Sequence, residues 1–188
     1  EIRNKNEYTH KINVPVCVES ELSGIQYKDF INMVWYRKAV NIKKDGNRVF
    51  LCFGAADHLT TVLVNGKCAG RHKGGYTSFS FDITALVNEG ENSLFVSVAD
   101  DVRGKKQAKG KQAHKYASSG CDYTRTTGIW QTVWLEFVPF NYVKSAKYYP
   151  DIDNGCLTVT GITEGAGTLT LTAKWDGETV VTKSFISK

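Results

Sequence analysis

A polar cluster lies directly before a dense apolar segment in residues 121–137, CDYTRTTGIWQTVWLEF. Gly and Asn would serve as well if this stretch only connected two elements. A carboxylate and a guanidinium three residues apart can instead bind polar groups through charge-assisted hydrogen bonds. The alternatives are a turn aspartate that caps its own backbone and an arginine in an interface salt bridge. The cluster consists of Asp122, Thr124, Arg125, Thr126 and Thr127.

The remaining acidic residues form no evident catalytic pair. Hydrolysis of a glycosidic bond needs two carboxyl groups about 5–10 Å apart, one protonated and one ionised. The segment DIDNG at 151–155 has the start of a calcium loop but no Glu at the twelfth position. Because most of the aspartates stand among turn-forming residues, we predict turn and capping roles for them. These are Asp45, Asp57, Asp100, Asp101, Asp151, Asp153 and Asp176.

The histidines and cysteines show no motif for nucleophilic or metal chemistry. The four histidines have no serine in a G-x-S-x-G elbow, and we predict surface or loop positions for His58 and His72. The five cysteines include no C-x-x-C pair, and we predict reduced thiols that lie mostly in buried strands. The sequence therefore predicts no catalytic residue, no metal site and no cofactor in this chain.

The net charge of +5 belongs to the first part of the chain. Residues 1–139 hold 19 basic and 14 acidic side chains, whereas residues 140–188 hold five of each. Much of the excess lies in one run, DDVRGKKQAKGKQAHKY at 100–116. Such a run can attract phosphate, but no aromatic residues interleave its lysines as in an RNA-binding surface. We therefore predict a solvated loop and no nucleic-acid partner.

Segments typical of β-strands dominate residues 1–139. The Asn65-Gly66 pair predicts a tight hairpin, because both residues tolerate positive φ. In the last segment, alternation places Ile129, Val133 and Leu135 on one face. This pattern predicts an all-β, jelly-roll β-sandwich. The predicted strands are 12–18, 33–42, 48–54, 59–65, 78–83, 92–99 and 129–137.

After Pro139 the sequence contains four further strand-like segments with glycine-rich connections: YVKSAKYYP, CLTVT, GTLTLTAKW and ETVVTKSF. They are typical of the start of an immunoglobulin-like sandwich, which needs about seven strands and about 100 residues. We therefore predict a partial immunoglobulin-like β-sandwich over 140–188, with strand edges left open.

The hydropathy and the two ends of the sequence give expectations about a membrane span, a longer protein and cellular location. No apolar run reaches about 18 residues, so we predict no membrane span. The chain starts without Met and stops in the strand-like text VVTKSFISK, so we expect a piece of a longer protein. The absence of an N-x-[ST] sequon favours a cytoplasmic location.

Several segments together resemble one family. In chain order, these segments are VWYRKAV, VLVNGKCAGRHKGGYTSFSFDITALVNEGENSLFVSV and DYTRTTGIWQTVWLEFVP. Together they are similar to the N-terminal sugar-binding domain of glycoside hydrolase family 2, the β-galactosidase and β-glucuronidase family. The resemblance covers residues 12–139. It implies a sugar-binding jelly-roll domain over 1–139 and the truncated start of an immunoglobulin-like domain over 140–188.

The resemblance also implies that sugar binding and catalysis are divided between domains of a longer protein, here called the parent. The parent would be a retaining, β-galactosidase-like β-glycosidase whose two catalytic glutamates lie in a (β/α)8 barrel outside this chain. The partners implied are a β-glycoside substrate and that barrel, and the fragment alone would be inactive. The oligomeric state of the parent stays open, a homo-oligomer being one option.

The resemblance assigns sugar contacts to particular residues. In the family, the Asp six residues before a Gly-Ile pair contacts sugar hydroxyls, and here that position is Asp122, ahead of Gly128. Arg125 could orient this carboxylate or reach the barrel. A second contact comes from the loop before the WYRK strand, here 22–32, for which Gln26 and Tyr27 are the candidates.

Two other functions stay open. The first is a freestanding carbohydrate-binding module with an aromatic platform made by Trp130 or Trp134 together with Tyr123. The second is a structural or nucleic-acid-binding β-domain that uses the lysine run. Sugar titration and salt-dependent binding to nucleic acid distinguish these from the family function.

Overall fold

The computed structural model describes residues 8, 10–104 and 106–187, which form an almost entirely β-structure. The chain forms two compact units, Glu1–Phe137 and Val138–Lys188. A short 3-10 turn covers Glu21–Ser23. The strands of the first unit are β1 Met33–Ile42, β2 Arg48–Phe53, β3 Ala56–Asp57, β4 Leu59–Val64, β5 Lys67–Lys73, β6 Phe79–Asp82, β7 Gly90–Ala99, β8 Gly128–Ile129 and β9 Val133–Val138.

Two main antiparallel sheets share one core in the first unit. The larger has the strand order β1-β7-β4-β5 and the smaller β6-β2-β9, while β3 pairs with β8 in a short separate ladder. Buried residues from both main sheets form a single hydrophobic cluster that includes Phe53, Val62 and Val98, each fully enclosed. The predicted all-β sandwich of the jelly-roll kind is therefore confirmed.

Alternation along the strands explains which residues enter this core. In β4, Thr60, Val62 and Val64 are buried while the residues between them are more exposed, as the period of two in a strand requires. In the neighbouring β7, Val96 and Val98 are buried beside them. One face of each strand thus supplies the core, because successive side chains point to opposite faces of the sheet.

Most of the predicted strands are confirmed, with two exceptions. Residues 12–18 form turns, because Pro15 has no N–H to donate to a ladder. The predicted strand 129–137 is broken: β8 pairs with β3 and β9 belongs to the β2 sheet, with a bend at 130–132 between them. The bend lets one segment pass from one sheet to another, which alternation alone does not reveal.

The predicted hairpin at Asn65-Gly66 is confirmed, with φ of 50° and 80° at the two residues. The Asn65 side chain also ties this turn to the sheet. Its amide donates to the Leu86 carbonyl at 2.9 Å, and its oxygen accepts from the Ser93 amide at 2.9 Å. The hairpin therefore fixes the register of β4 against β5 and also anchors the start of β7.

The second unit consists of two antiparallel hairpins. β10 (Tyr142–Asp151) pairs with β11 (Cys156–Glu164), and β12 (Gly167–Trp175) pairs with β13 (Glu178–Ser187). These are the four strands predicted after Pro139. Large apolar side chains such as Trp175 and Tyr148 are exposed on this unit. Its assignment to an incomplete immunoglobulin-like domain, with a boundary after residue 139, stays a prediction.

The cysteines depart from the predicted pattern. All five are free, but only Cys52 is buried, while Cys68, Cys121 and Cys156 are exposed. Cys68 lies near the start of β5, which is the edge strand of the larger sheet, and its side chain faces solvent. Within the part of the chain that the structure describes, no helix is long and apolar enough to cross a membrane.

Gly128 occupies a position that requires glycine. Its φ is 88°, and a Cβ there would collide with the Tyr36 hydroxyl. That hydroxyl accepts a hydrogen bond from the Ile129 amide at 3.1 Å, and burial raises the pKa of Tyr36 to about 12. The close approach of Gly128 to Tyr36 therefore fixes the start of β8 against β1.

We expect Gly128→Ala to lower the free energy of unfolding by about 2 kcal/mol or more, because left-handed strain adds to the steric clash. Gly46→Ala is the matched control, since Gly46 has a similar φ of 75° but nothing within 4 Å of a Cβ. Urea unfolding of the 188-residue chain measures both. Equal losses in the two variants would contradict the role assigned to the Tyr36 contact.

Candidate functional site

Asp122 lies in the long connection between β7 and β8, where two short segments pair. The Asp122 and Ser119 backbones exchange hydrogen bonds of 3.1 and 3.2 Å, and the Tyr123 amide donates to the Lys111 carbonyl at 2.7 Å. The Ala113 amide returns a 2.7 Å bond to the Tyr123 carbonyl. The basic run 100–116 is thereby held alongside the residues that carry Asp122.

The carboxylate of Asp122 is one-quarter exposed and faces two basic side chains. Its Oδ2 lies 3.7 Å from Lys109 Nζ and 3.8 Å from His114 Nδ1. Lys109 Nζ in turn donates to the Gln112 carbonyl at 2.7 Å, which holds it in place. Within the described residues, no backbone amide donates to this carboxylate, so the capping alternative finds no support. The carboxylate keeps acceptor capacity for a ligand.

Arg125 is deeply buried, with 2% of its surface exposed. Its guanidinium donates to the Lys115 carbonyl at 2.8 Å, to the Ala113 carbonyl at 3.4 Å and to the Lys28 carbonyl. It also lies 4.2 Å from the centroid of the Phe30 ring. The side chain therefore joins the loop 22–32 to the basic run. This position favours a structural role, in which Arg125 holds the two loops together, rather than direct contact with a ligand.

The two candidates for a second sugar contact lie on the surface of the loop 22–32. Gln26 is exposed with a φ of 55°, and its amide donates to Ser23 Oγ at 3.3 Å. Tyr27 is about half exposed, and its amide donates to the Val18 carbonyl at 3.1 Å. Arg125 reaches this loop at Lys28, one residue beyond Tyr27. Their substrate roles stay predictions.

The proposed aromatic platform is only partly available. Trp130 is half buried, donates its indole N–H to the Gly75 carbonyl at 2.9 Å and contacts the Tyr76 ring edge-on. Tyr123 is 62% exposed, and Trp134 lies on β9 with 42% exposed. Trp130 is thus used to anchor the bend after β8, and its ring is not an open stacking surface.

A buried polar network lies beneath these loops, and the sequence analysis missed it. Asp57 and Asp100 were predicted as turn residues, but they are 0% and 2% exposed, so that prediction is wrong for both. Gln112 Nε2 donates to Asp57 Oδ2 at 2.6 Å, and the Thr126 amide donates to Gln112 Oε1 at 2.8 Å. This glutamine therefore joins β3 to the segment that carries Asp122.

A second branch of the network runs through Thr127. Its amide donates to both carboxylate oxygens of Glu19, at 3.1 and 3.2 Å, and its hydroxyl donates to Asp100 Oδ2 at 3.4 Å. Gln107 Nε2 donates to the other oxygen of Asp100 at 2.5 Å. The amide and hydroxyl of Thr127 are thus bound to buried carboxylates, which hold the segment that carries Asp122.

Burial controls the ionisation of these acids. Desolvation raises the pKa of Asp100 to about 6, with the charge of Asp57 adding to the rise and the Gln107 bond opposing it. Desolvation likewise raises the pKa values of Asp57 and Glu19. The bonds from Gln112 and Thr127 oppose these shifts. The ionised network therefore costs stability that its hydrogen bonds only partly offset.

The histidine prediction holds only in part, because His58 lies at the bend between β3 and β4 but is buried, and His72 lies in a strand. His58 follows Asp57 directly and is only 8% exposed, while His72 lies in β5, half buried and stacked on Phe79 at 4.0 Å between centroids. One sequence signal pointed to the buried pair: Asp57 and His58 are the only ionisable residues in the strand-like stretch FGAADHLTTVLV. Polar residues inside such a stretch are often buried with partners.

We expect Arg125→Met to lower the free energy of unfolding by about 3 kcal/mol, because it removes the donors of several carbonyls and the charge near Glu19. Arg103→Met is the matched control, since Arg103 lies 4.1 Å from the same Phe30 ring but is exposed. Thermal unfolding of the two variants measures the loss of stability in each. A loss in Arg103→Met as large as in Arg125→Met would refute a special role for the buried guanidinium.

We expect Asp100→Asn to gain stability relative to the unchanged chain as the pH rises from about 4 to 7.5. The pKa of Asp100 is raised to about 6 in the folded state, above its unfolded value of about 3.9, so the folded state binds more protons in that window and loses stability as pH rises. Asparagine does not ionise, so the relative gain is about 2–3 kcal/mol.

Unfolding midpoints of both proteins at several pH values test this prediction. Asp101→Asn is the control, because Asp101 is the next residue along the chain but is exposed. A pH-independent difference between Asp100→Asn and the unchanged chain would show that Asp100 is not destabilised by its burial.

Comparison with known proteins finds relatives that are similar to part of this chain. A β-galactosidase of Thermoanaerobacter pseudethanolicus is 32% identical over 126 residues, which cover 66% of this chain and 16% of that protein. A β-glucuronidase of Bacteroides fragilis is 38% identical over 94 residues, covering 47% of this chain and 13% of that protein. The chain thus spans about one sixth or less of the length of these relatives.

Solved structures share the fold at low sequence identity. The β-D-glucuronidase of Dictyoglomus thermophilum aligns with a TM-score of 0.67 and 22% identity, over 92% of this chain and 33% of that chain. A β-glucuronidase of Faecalibacterium prausnitzii aligns with a TM-score of 0.65 and 22% identity, over 95% of this chain and 36% of that chain.

The family model described as "Glycosyl hydrolases family 2, sugar binding domain" matches residues 3–139. That range includes all nine strands of the first unit together with the loops that carry Asp122 and Arg125. This chain therefore belongs to glycoside hydrolase family 2, as a sugar-binding domain.

Proposed function

We propose that this chain is the non-catalytic, sugar-contacting part of a retaining β-glycosidase, and that Asp122 binds hydroxyls of the substrate. The observation that carries the proposal is the state of the Asp122 carboxylate. It is partly exposed, it faces Lys109 and His114, and no backbone amide of the described residues donates to it. A carboxylate in this state can accept two hydroxyl hydrogen bonds at once.

Charge makes these bonds strong enough to matter. Hydrogen bonds to a charged group contribute about 1.5–3 kcal/mol each when water is excluded. Lys109 Nζ lies 3.7 Å from Asp122 Oδ2 and places a positive charge beside the acceptor. Arg125 supports the site from below by holding the loops of Gln26 and Tyr27 on one side and of His114 on the other.

The hydrolytic chemistry is proposed to lie elsewhere in the parent protein. Retaining hydrolysis needs two carboxyl groups about 5–5.5 Å apart, and we assign them to two glutamates of a barrel that follows this chain. The isolated chain is then inactive. The relatives are named as β-galactosidase and β-glucuronidase, and we propose β-galactosidase-like specificity. Chromogenic β-galactosides and β-glucuronides, assayed on the parent enzyme, decide between the two sugars.

We expect Asp122→Ala in the parent enzyme to reduce kcat/KM by at least about tenfold, which corresponds to about 1.4 kcal/mol of lost transition-state stabilisation. Asp122→Asn retains one acceptor oxygen, so its loss should be smaller. Asp153→Ala is the control, because Asp153 is an exposed turn residue of the second unit.

Steady-state kinetics on chromogenic β-glycosides provide the measurement. Unchanged kinetics in Asp122→Ala would return this residue to a structural role. Reading the coding sequence beyond Lys188 is an independent test, and the lack of a barrel with two suitably placed glutamates would sink the proposal for the parent enzyme.

A further inference from the structure

Lys109 has an ammonium group that is held beside Asp122 and keeps unused donors. Its Nζ donates to the Gln112 carbonyl at 2.7 Å and lies 3.7 Å from Asp122 Oδ2, beyond the range of a good hydrogen bond. An ammonium group has three donors, and among the described residues the Gln112 carbonyl is the one acceptor that it bonds. The side chains of Lys109 and Asp122 are 32% and 26% exposed, so a ligand can reach both.

Gln112 explains why the ammonium group is fixed. This residue is 5% exposed. Its Nε2 donates to Asp57 Oδ2 on β3 at 2.6 Å, and its Oε1 accepts from the Thr126 amide at 2.8 Å. The carbonyl that binds Lys109 is thereby held against β3 and against the segment that carries Asp122. Ordering a lysine side chain costs conformational entropy, and this anchor removes part of that entropy before a ligand arrives.

The other basic residues near the site have no comparable anchor. His114 Nδ1 lies 3.8 Å from Asp122 Oδ2, but its side chain is 59% exposed and makes no hydrogen bond among the described residues. Lys111 is exposed, and its side chain has no ion pair within the same part of the chain. Lys109 is therefore the basic side chain that is both anchored and accessible at this site.

A donor beside an acceptor determines which ligand fits. A carboxylate only accepts hydrogen bonds and an ammonium group only donates them, whereas a hydroxyl does both. Two neighbouring hydroxyls of a sugar ring match this pair, because one donates to Asp122 while the other accepts from Lys109. An anionic group bound to Lys109 would lie beside the negative charge of Asp122. The pair therefore favours adjacent, uncharged hydroxyls.

We propose that Lys109 is a second sugar-contacting residue, which donates to the hydroxyl next to the one that Asp122 binds. The inference rests on the proposed function, because it takes Asp122 as an acceptor for a substrate hydroxyl. It adds a requirement for specificity, since the sugar must carry two adjacent free hydroxyls at this point. Gln112 acts only through Lys109 and is a positioning residue.

The test is Lys109→Met in the parent enzyme, which removes the ammonium group and keeps most of the stem. The substrates are para-nitrophenyl β-galactoside and analogues that each lack one hydroxyl, or the matching β-glucuronides if the parent prefers them. We expect kcat/KM to fall about tenfold on the complete substrate. On one analogue the loss should vanish, because the partner of Lys109 is absent. The loss in Asp122→Ala should vanish on a different analogue, which lacks the adjacent hydroxyl.

Lys111→Met is the matched control. It makes the same change of charge two residues along the same run, at an exposed side chain, and kcat/KM should change less than about twofold. Equal losses in the two lysine variants would assign the effect to the general charge of the run and overturn the proposal. A loss of equal size on every analogue would also overturn it, because a lysine that only holds the loop does not distinguish one hydroxyl from another.

The kinetics separate this inference from the proposal for Asp122. A loss in Asp122→Ala with no loss in Lys109→Met would overturn the role of Lys109 alone. A loss in Lys109→Met that depends on one hydroxyl, with unchanged kinetics in Asp122→Ala, would support Lys109 and overturn the role of Asp122. A parent protein without activity on either series of glycosides would overturn both.

Discussion

The guanidinium of Arg125 is the interaction on which the end of the sandwich depends. It is buried, and its donors reach carbonyls of Lys28, Ala113 and Lys115, which belong to two loops far apart in sequence. A buried cation without such acceptors would cost several kcal/mol. The loops must therefore close around it together, and the residues that they display, Asp122 among them, are positioned as a consequence.

Three buried carboxylates also hold the loops at this end of the sandwich. Glu19, Asp57 and Asp100 have raised pKa values because they have left water, and their oxygens accept bonds from Thr127, Gln112 and Gln107. Such networks stabilise a single arrangement of long loops when their members are satisfied. Here the buried carboxylates let irregular backbone lie over the core.

The strands show where sequence patterns succeed and where they fail. Short β-branched and aromatic segments between turn residues located β1, β2, β4, β6 and β7, because these preferences are local properties of the sequence. They missed the two-residue β3 and the more polar β5. The prediction also failed at 12–18, which forms turns. It failed at 129–137, because the chain changes sheet at 130–132 to pair with both β3 and β2. Pairing partners are chosen in three dimensions, so no local pattern records the change.

The sequence by itself determined the all-β class, the Asn65-Gly66 turn and the location of a polar cluster before β8, because each depends on neighbouring residues. Only the tertiary structure decided what the cluster does. It turned Arg125 inward and buried Asp57, His58 and Asp100, leaving Asp122 at the surface. The reason is sequence distance: Arg125 meets Lys28 across 97 residues, and Thr127 meets Glu19 across 108. Contacts of that span follow from the complete fold.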